Sequence, residues 1–178
     1  MTKPNTYHQS KDFREFMEER NWLRNIEFNK WNEPYSVTLT HKSGQKITSD
    51  KGVSFKKITP DDAKQNMRHF LNLLNKKIFG KGFSRFSSRL KVITVLEGGK
   101  DKHLHYHLLL ESPSKKKLPK LAFELLIQSL WSQTKFGNIK NDIQSSYDAR
   151  GFVNYITKYE DKNIEFMKDS FDVENSNF

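Results

Sequence analysis

Cysteine is absent from this 178-residue chain, so neither a disulfide nor a thiolate zinc site can form. Long apolar runs are absent as well. No stretch approaches the roughly 18 residues of a membrane span, and the N-terminal MTKPNTYHQS lacks the apolar core of a signal peptide. A phosphate loop of the form G-x-x-x-x-G-K-[ST] is also missing, since neither GKG at 80–82 nor GGK at 98–100 fits it. These absences predict a soluble, cytoplasmic protein with no membrane partner and no helicase motor in this sequence.

Acidic residues are the scarcer charge, 21 Asp+Glu against 31 Lys+Arg, for a formal +10. That balance favours a polyanionic partner such as nucleic acid, or an anionic membrane surface. Aromatic residues make up 13% of the chain. Most serve a core, and those interleaved with Lys and Arg can stack on unpaired bases. The length suits one domain with a real core, or one domain plus a small appendage.

Hydrophobic periodicity divides the chain into elements. Residues 10–31 show an imperfect helical pattern through Phe13, Phe16, Met17, Leu23 and Ile26. YSVTLT at 35–40 is β-branched and reads as a strand, followed by a polar turn around HKSGQ. ITPDDAKQNMRHFLNLLNKKIFG is the clearest helix, with Thr59 to cap it, Pro60 in the first turn, Asp61 and Asp62 on its dipole and Gly80 to stop it. GKGFSRFSSR at 80–89 reads as a basic loop, with Lys81, Arg85 and Arg89 available to phosphates. LKVITVLE and HLHYHLLLE, joined by a short glycine-containing turn, form a hairpin. KLAFELLIQSLWSQ is an amphipathic helix, GNIKNDIQSSY contains a strand, and DARGFVNYITKYEDK forms a helix from about Asp148. The expected fold is α+β: an antiparallel sheet with helices packed on one side, close to the ferredoxin-like plan. Residues 1–34 then form a helical extension, 35–165 the domain, and 166–178 a polar, frayed tail.

Half of the six histidines fall at alternate positions, His103, His105 and His107. On a strand they share one face, while Leu104, Tyr106, Leu108 and Leu110 take the other. His105 and His107 lie roughly 6.6 Å apart along such a strand, close enough to tilt onto one cation. A polar, solvent-facing strand could carry the same pattern. Glu97 stands across the hairpin, where its carboxylate can reach the same cation. Two imidazoles and one carboxylate leave coordination positions open for substrate, as catalytic metal sites require. Nitrogen and oxygen donors suit Mn²⁺ or Mg²⁺ when a phosphate completes the shell.

A second pattern is YITKY, 155–159, extended by Lys162. In a helix Tyr155, Lys158, Tyr159 and Lys162 share an arc about 100° wide. Lysines beside a phenol favour its ionised form and can hold a phosphate. A solvated amphipathic face would also look like this.

Taken together, EGG…HLHYHLLLE followed by FVNYITKYEDK resembles the HUH endonucleases, in particular the rolling-circle replication initiators of plasmids and small phages. The resemblance spans roughly residues 35–162. It implies a ferredoxin/RRM-like HUH fold in which His105 and His107, with Tyr106 between them, and Glu97 hold the divalent metal. It implies Tyr155 as nucleophile, Lys158 as its helper and Tyr159 as a second phenol, as in two-tyrosine initiators. His103 offers a competing His-x-His pair with His105. YSVTLT stands where the initiators have their first motif, without its usual proline. The implied activity is metal-dependent nicking and joining of single-stranded DNA at a replication origin, with or without a hairpin there, through a 5′-phosphotyrosine. A bacterial host supplying helicase and polymerase is implied too.

Three other readings compete. A single-tyrosine HUH transposase shares the chemistry. A non-catalytic single-stranded nucleic-acid binder accounts for the charge but leaves Glu97, His105 and His107 without a role. A cupin-type metalloenzyme matches G-x₅-H-x-H-x₃-E from Gly99 to Glu111, but Leu118 stands where its next glycine belongs, and a cupin is a double-sheet barrel.

Overall fold

The computed structural model describes residues 11–50, 52–99, 102–114, 118–158 and 171–178. In chain order the elements are α1 (Lys11–Arg24), β1 (Tyr35–His41), β2 (Gly44–Ser49), β3 (Gly52–Lys57), α2 (Pro60–Phe79) and α3 (Lys81–Phe86). They continue with β4 (Val92–Gly99), β5 (Lys102–Leu110), α4 (Lys120–Gln133), β6 (Gly137–Ser145) and α5 (Ala149–Ile156). Four strands form one antiparallel sheet in the order β4-β5-β1-β6, and β2 pairs with β3 as a separate hairpin. Without that hairpin the path is β-α-β-β-α-β, the ferredoxin-like plan expected of the sequence.

Alternation along the strands sorts the sheet into two faces. One face carries Tyr35, Val37 and Leu39 of β1 and Leu104, Tyr106, Leu108 and Leu110 of β5. It is covered by Met67, Phe70 and Leu74 of α2 and by Phe123, Ile127 and Trp131 of α4. Each such side chain contributes about 1.5–3 kcal/mol by leaving water, so this layer is the main core. Trp131 also donates its Nε1–H to the Thr40 carbonyl at 2.9 Å, which fixes α4 against β1.

The opposite face carries Ile93, Val95 and Leu109, packed with Leu23, Phe28, Trp31, Val153, Ile156 and Phe171. Helices therefore cover both faces, not one as the sequence reading has it. The second layer is assembled from short or terminal pieces, α1 and α5, whose apolar stripes are too brief to announce a partner. The histidines lie on this thinner side, and α5 lies beside them.

α2 begins as read: the Thr59 hydroxyl accepts from the Asp62 N–H while Asp62 accepts from the Thr59 N–H, a capping box. Two other segments depart from expectation. Lys81–Phe86 is a short helix rather than a loop. Residues 171–178 are not frayed: Phe171 and Asp172 are buried, and Phe171 and Asn177 bridge to Val95 and Val92 on the outer edge of β4. Such an edge presents unpaired backbone groups, and this segment covers it. No described helix is long and apolar enough to cross a membrane.

Candidate active site

The β4–β5 hairpin sets the site. Its register pairs Glu97 with His105 and Val95 with His107, so Glu97 and both histidines point to one face. The Glu97 Oε2 stands 3.3 Å from His105 Nε2 and 3.2 Å from His107 Nε2. One ligand atom from each of the three lies within 4.8 Å of the others. Gly98 makes the placement possible. Its φ is +111°, and a Cβ there would stand 2.5 Å from the His103 carbonyl oxygen. Glycine alone adopts this backbone at no steric cost, and the register shifts between Glu97 and Gly99.

The second ring nitrogens are also held. His105 Nδ1 lies 3.0 Å from the His103 carbonyl, which can only accept, so Nδ1 carries the proton. The His105 Nε2 lone pair then faces a carboxylate, an arrangement that needs a proton or a cation between them. His107 Nδ1 lies 3.1 Å from the Thr38 hydroxyl on β1, its cross-strand partner. Partners at Nδ1 that aim Nε2 inward are the support that metal-binding imidazoles receive. Donor set, convergence and partners all fit a divalent cation held by Glu97, His105 and His107. The half-buried carboxylate leaves one side open.

Thr38 belongs to this site although the sequence reading gives it no role. Its signal was the alternation in YSVTLT, which puts Thr38 and Thr40 on the face opposite Val37 and Leu39. His103 does not join the cluster. Its Nδ1 lies 3.4 Å from the Ser43 hydroxyl instead. The apolar middle residue, Tyr106, is fully buried on the other face, where its phenol donates to Asp172 Oδ2 at 2.6 Å. Burial, then the Asp172 charge, raises its pKa far above the ordinary phenol value, which leaves Tyr106 no acid–base role.

α5 supplies the phenol. The Asp148 carboxylate caps it by accepting from the Gly151 N–H at 2.7 Å, and Val153 and Ile156 anchor it in the second core. Tyr155 is thereby turned outward, 55% exposed, with its ring centroid 6.3 Å from that of His107. The helix stops at Ile156, where the Thr157 hydroxyl donates back to the Val153 carbonyl. Lys158 therefore lies past the helix end, unlike the continuous stripe expected. Its Nζ nevertheless sits 4.8 Å from the centre of the Tyr155 ring. Tyr159 and Lys162 lie outside the described residues.

Glu111, the carboxylate of the cupin reading, is at the far end of β5. It accepts there from the backbone N–H groups of Asn32 and Lys91. With an open α+β sheet in place of a double-sheet barrel, that reading is excluded.

A family model described as Replication-associated protein ORF2 matches residues 34–164. The match takes in β1, both site strands and α5. No curated protein and no solved structure matches the chain.

Proposed function

Because the chain belongs to the replication-associated protein ORF2 family, whose work is in replication, we propose that it is an HUH-type endonuclease initiating rolling-circle replication by nicking and joining single-stranded DNA. The observation that carries this reading is Tyr155 beside His107, at the rim of the Glu97–His105–His107 cluster. A phenol next to an open N₂O donor set is suited to phosphoryl transfer and to little else.

The Tyr155 Oη attacks the scissile phosphorus. A phosphotyrosyl bond forms to the 5′ side, and the bond from phosphorus to the 3′ oxygen breaks. The phenol proton goes to water, and the departing oxygen takes one up as a free 3′-hydroxyl that can prime synthesis. Joining is the reverse reaction with a 3′-hydroxyl, so no nucleotide cofactor is consumed. Bound Mn²⁺ or Mg²⁺ would neutralise charge on the nonbridging oxygens and orient the phosphate. Lys158, beside the phenol, offsets negative charge developing on the attacking oxygen. Tyr159, one turn along in sequence, is the second phenol of a two-tyrosine scheme.

The test is incubation with origin-derived and arbitrary single-stranded oligonucleotides plus Mn²⁺, followed by denaturing electrophoresis. A covalent protein–DNA adduct that disappears with chelator and in Tyr155→Phe is expected. Strand binding without any adduct in Mn²⁺ or Mg²⁺ would return the protein to the class of non-catalytic binders.

A further inference from the structure

The β2–β3 hairpin stands outside both cores, and nearly all of its residues are exposed. Lys46 pairs directly with Phe55, Thr48 with Val53, and Gly44 with Lys57. Directly paired residues share a face, so Lys46, Val53, Phe55 and Lys57 form one apolar and basic surface. Phe55 is 57% and Val53 67% exposed. On the other face Lys56 reaches Asp62 in the first turn of α2 at 3.3 Å. The Lys46–Phe55 surface therefore looks away from α2, the helix that covers the sheet face opposite the histidines. A two-stranded hairpin is marginal in water, and leaving a phenylalanine in solvent does nothing to stabilise it.

The hairpin is rooted at the site. Ser43, just before β2, lies 3.4 Å from His103 Nδ1, and the His103 carbonyl holds His105 Nδ1. The Ser43 carbonyl in turn accepts the Ile58 N–H, which closes the hairpin base. From that base the strands project roughly 20 Å at about 3.4 Å per residue, a span of several nucleotides. The other basic and aromatic element, α3, follows the far end of α2, roughly 30 Å from the end near Thr59. There Arg89 is already set over Phe83 and bonded to Asn72.

We propose that this hairpin is a grip for single-stranded DNA leading to the Glu97–His105–His107 site. Phe55 and Val53 stack on unpaired bases, and Lys46 and Lys57 take the backbone phosphates. Single strands are favoured over duplex because an exposed aromatic ring needs an unpaired base to stack on. The inference rests on the proposed action on single-stranded DNA, but it concerns binding and involves no chemical step.

The test is fluorescence anisotropy on the full chain, without divalent ions, using labelled thymidine oligonucleotides of about 8 and about 20 nucleotides. Phe55→Ala should weaken binding of the longer strand about tenfold and leave the shorter nearly unchanged. Phe55→Trp should retain affinity, with indole emission quenched on binding. Lys46→Gln with Lys57→Gln should flatten the salt dependence by about 1.4 in log–log slope. Unchanged affinity and slope in these variants would overturn the grip. So would an equal loss on duplex, which would make the hairpin a general charge patch. Failure of covalent adduct formation would overturn the nuclease reading while leaving these measurements intact.

Discussion

The Thr38 hydroxyl on β1 meets His107 Nδ1 on β5 at 3.1 Å, and the two residues are direct cross-strand partners. The contact leaves His107 Nε2 aimed at Glu97. Thr38→Val removes the hydroxyl at nearly constant volume and should weaken Mn²⁺ binding by about 10–100-fold. Thr38→Ser should retain it. Isothermal titration with Mn²⁺ checks both, and equal affinities for all three proteins would refute a positioning role.

Gly98 should tolerate no side chain. Its φ of +111° and the 2.5 Å approach to the His103 carbonyl predict that Gly98→Val costs about 1–3 kcal/mol. It should also displace Glu97, lowering Mn²⁺ affinity more than stability alone implies. Urea denaturation alongside metal titration separates the two effects.

Tyr106 and Asp172 tie the last eight residues to the strand that carries the histidines. Tyr106→Phe leaves the buried Asp172 carboxylate with one donor fewer, Asn175 Nδ2 remaining at 2.6 Å. The expected loss is about 1–3 kcal/mol of stability. Because Tyr106 faces away from the site, Mn²⁺ affinity in the folded variant should not change.

His41 gives the fold a pH dependence. It is buried against Trp131 and Tyr106, with Nδ1 lying 3.2 Å from the Leu104 carbonyl. Burial lowers its pKa from the ordinary 6.5 to about 4, against a smaller raising effect of that hydrogen bond. The unfolded chain therefore binds this proton at a higher pH than the folded one does. Stability from this group is complete above pH about 6.5 and is lost as pH falls toward 4, on the order of 3 kcal/mol in all. Thermal denaturation of wild type and His41→Phe across this window should show a shallower slope in the variant.

Much of the fold was legible because its residues obey a single period. The β4–β5 hairpin alternates cleanly, so Leu104, Tyr106 and Leu108 separate from His105 and His107 by parity alone. Thr59, Pro60 and Asp62 mark the start of α2 by chemistry that operates within one turn. The β2–β3 hairpin left no such trace, because both its faces meet solvent and GQKITS and GVSFKK have no buried set to repeat. α3 is too short to show a period. The C-terminal dock depends on Phe171 and Asp172 reaching an edge strand some eighty residues earlier, which no local pattern records.

The site was legible to the same extent. Glu97, His105 and His107 share a hairpin, and its register brings them together. Thr38 required knowing that β1 lies beside β5. The end of α5 at Ile156, which breaks the expected stripe before Lys158, is set by Thr157 turning back on Val153.

The most direct measurement of the central claim is peptide mapping of the trapped protein–DNA adduct. Trypsin cuts after Arg150 and Lys158, releasing GFVNYITK, which contains Tyr155 as its only tyrosine; Tyr159 falls in the next peptide, YEDK. The account predicts a nucleotide remnant on Tyr155 in GFVNYITK when the first strand is cut. A remnant found only on YEDK, or on a peptide from elsewhere in the chain, would contradict it.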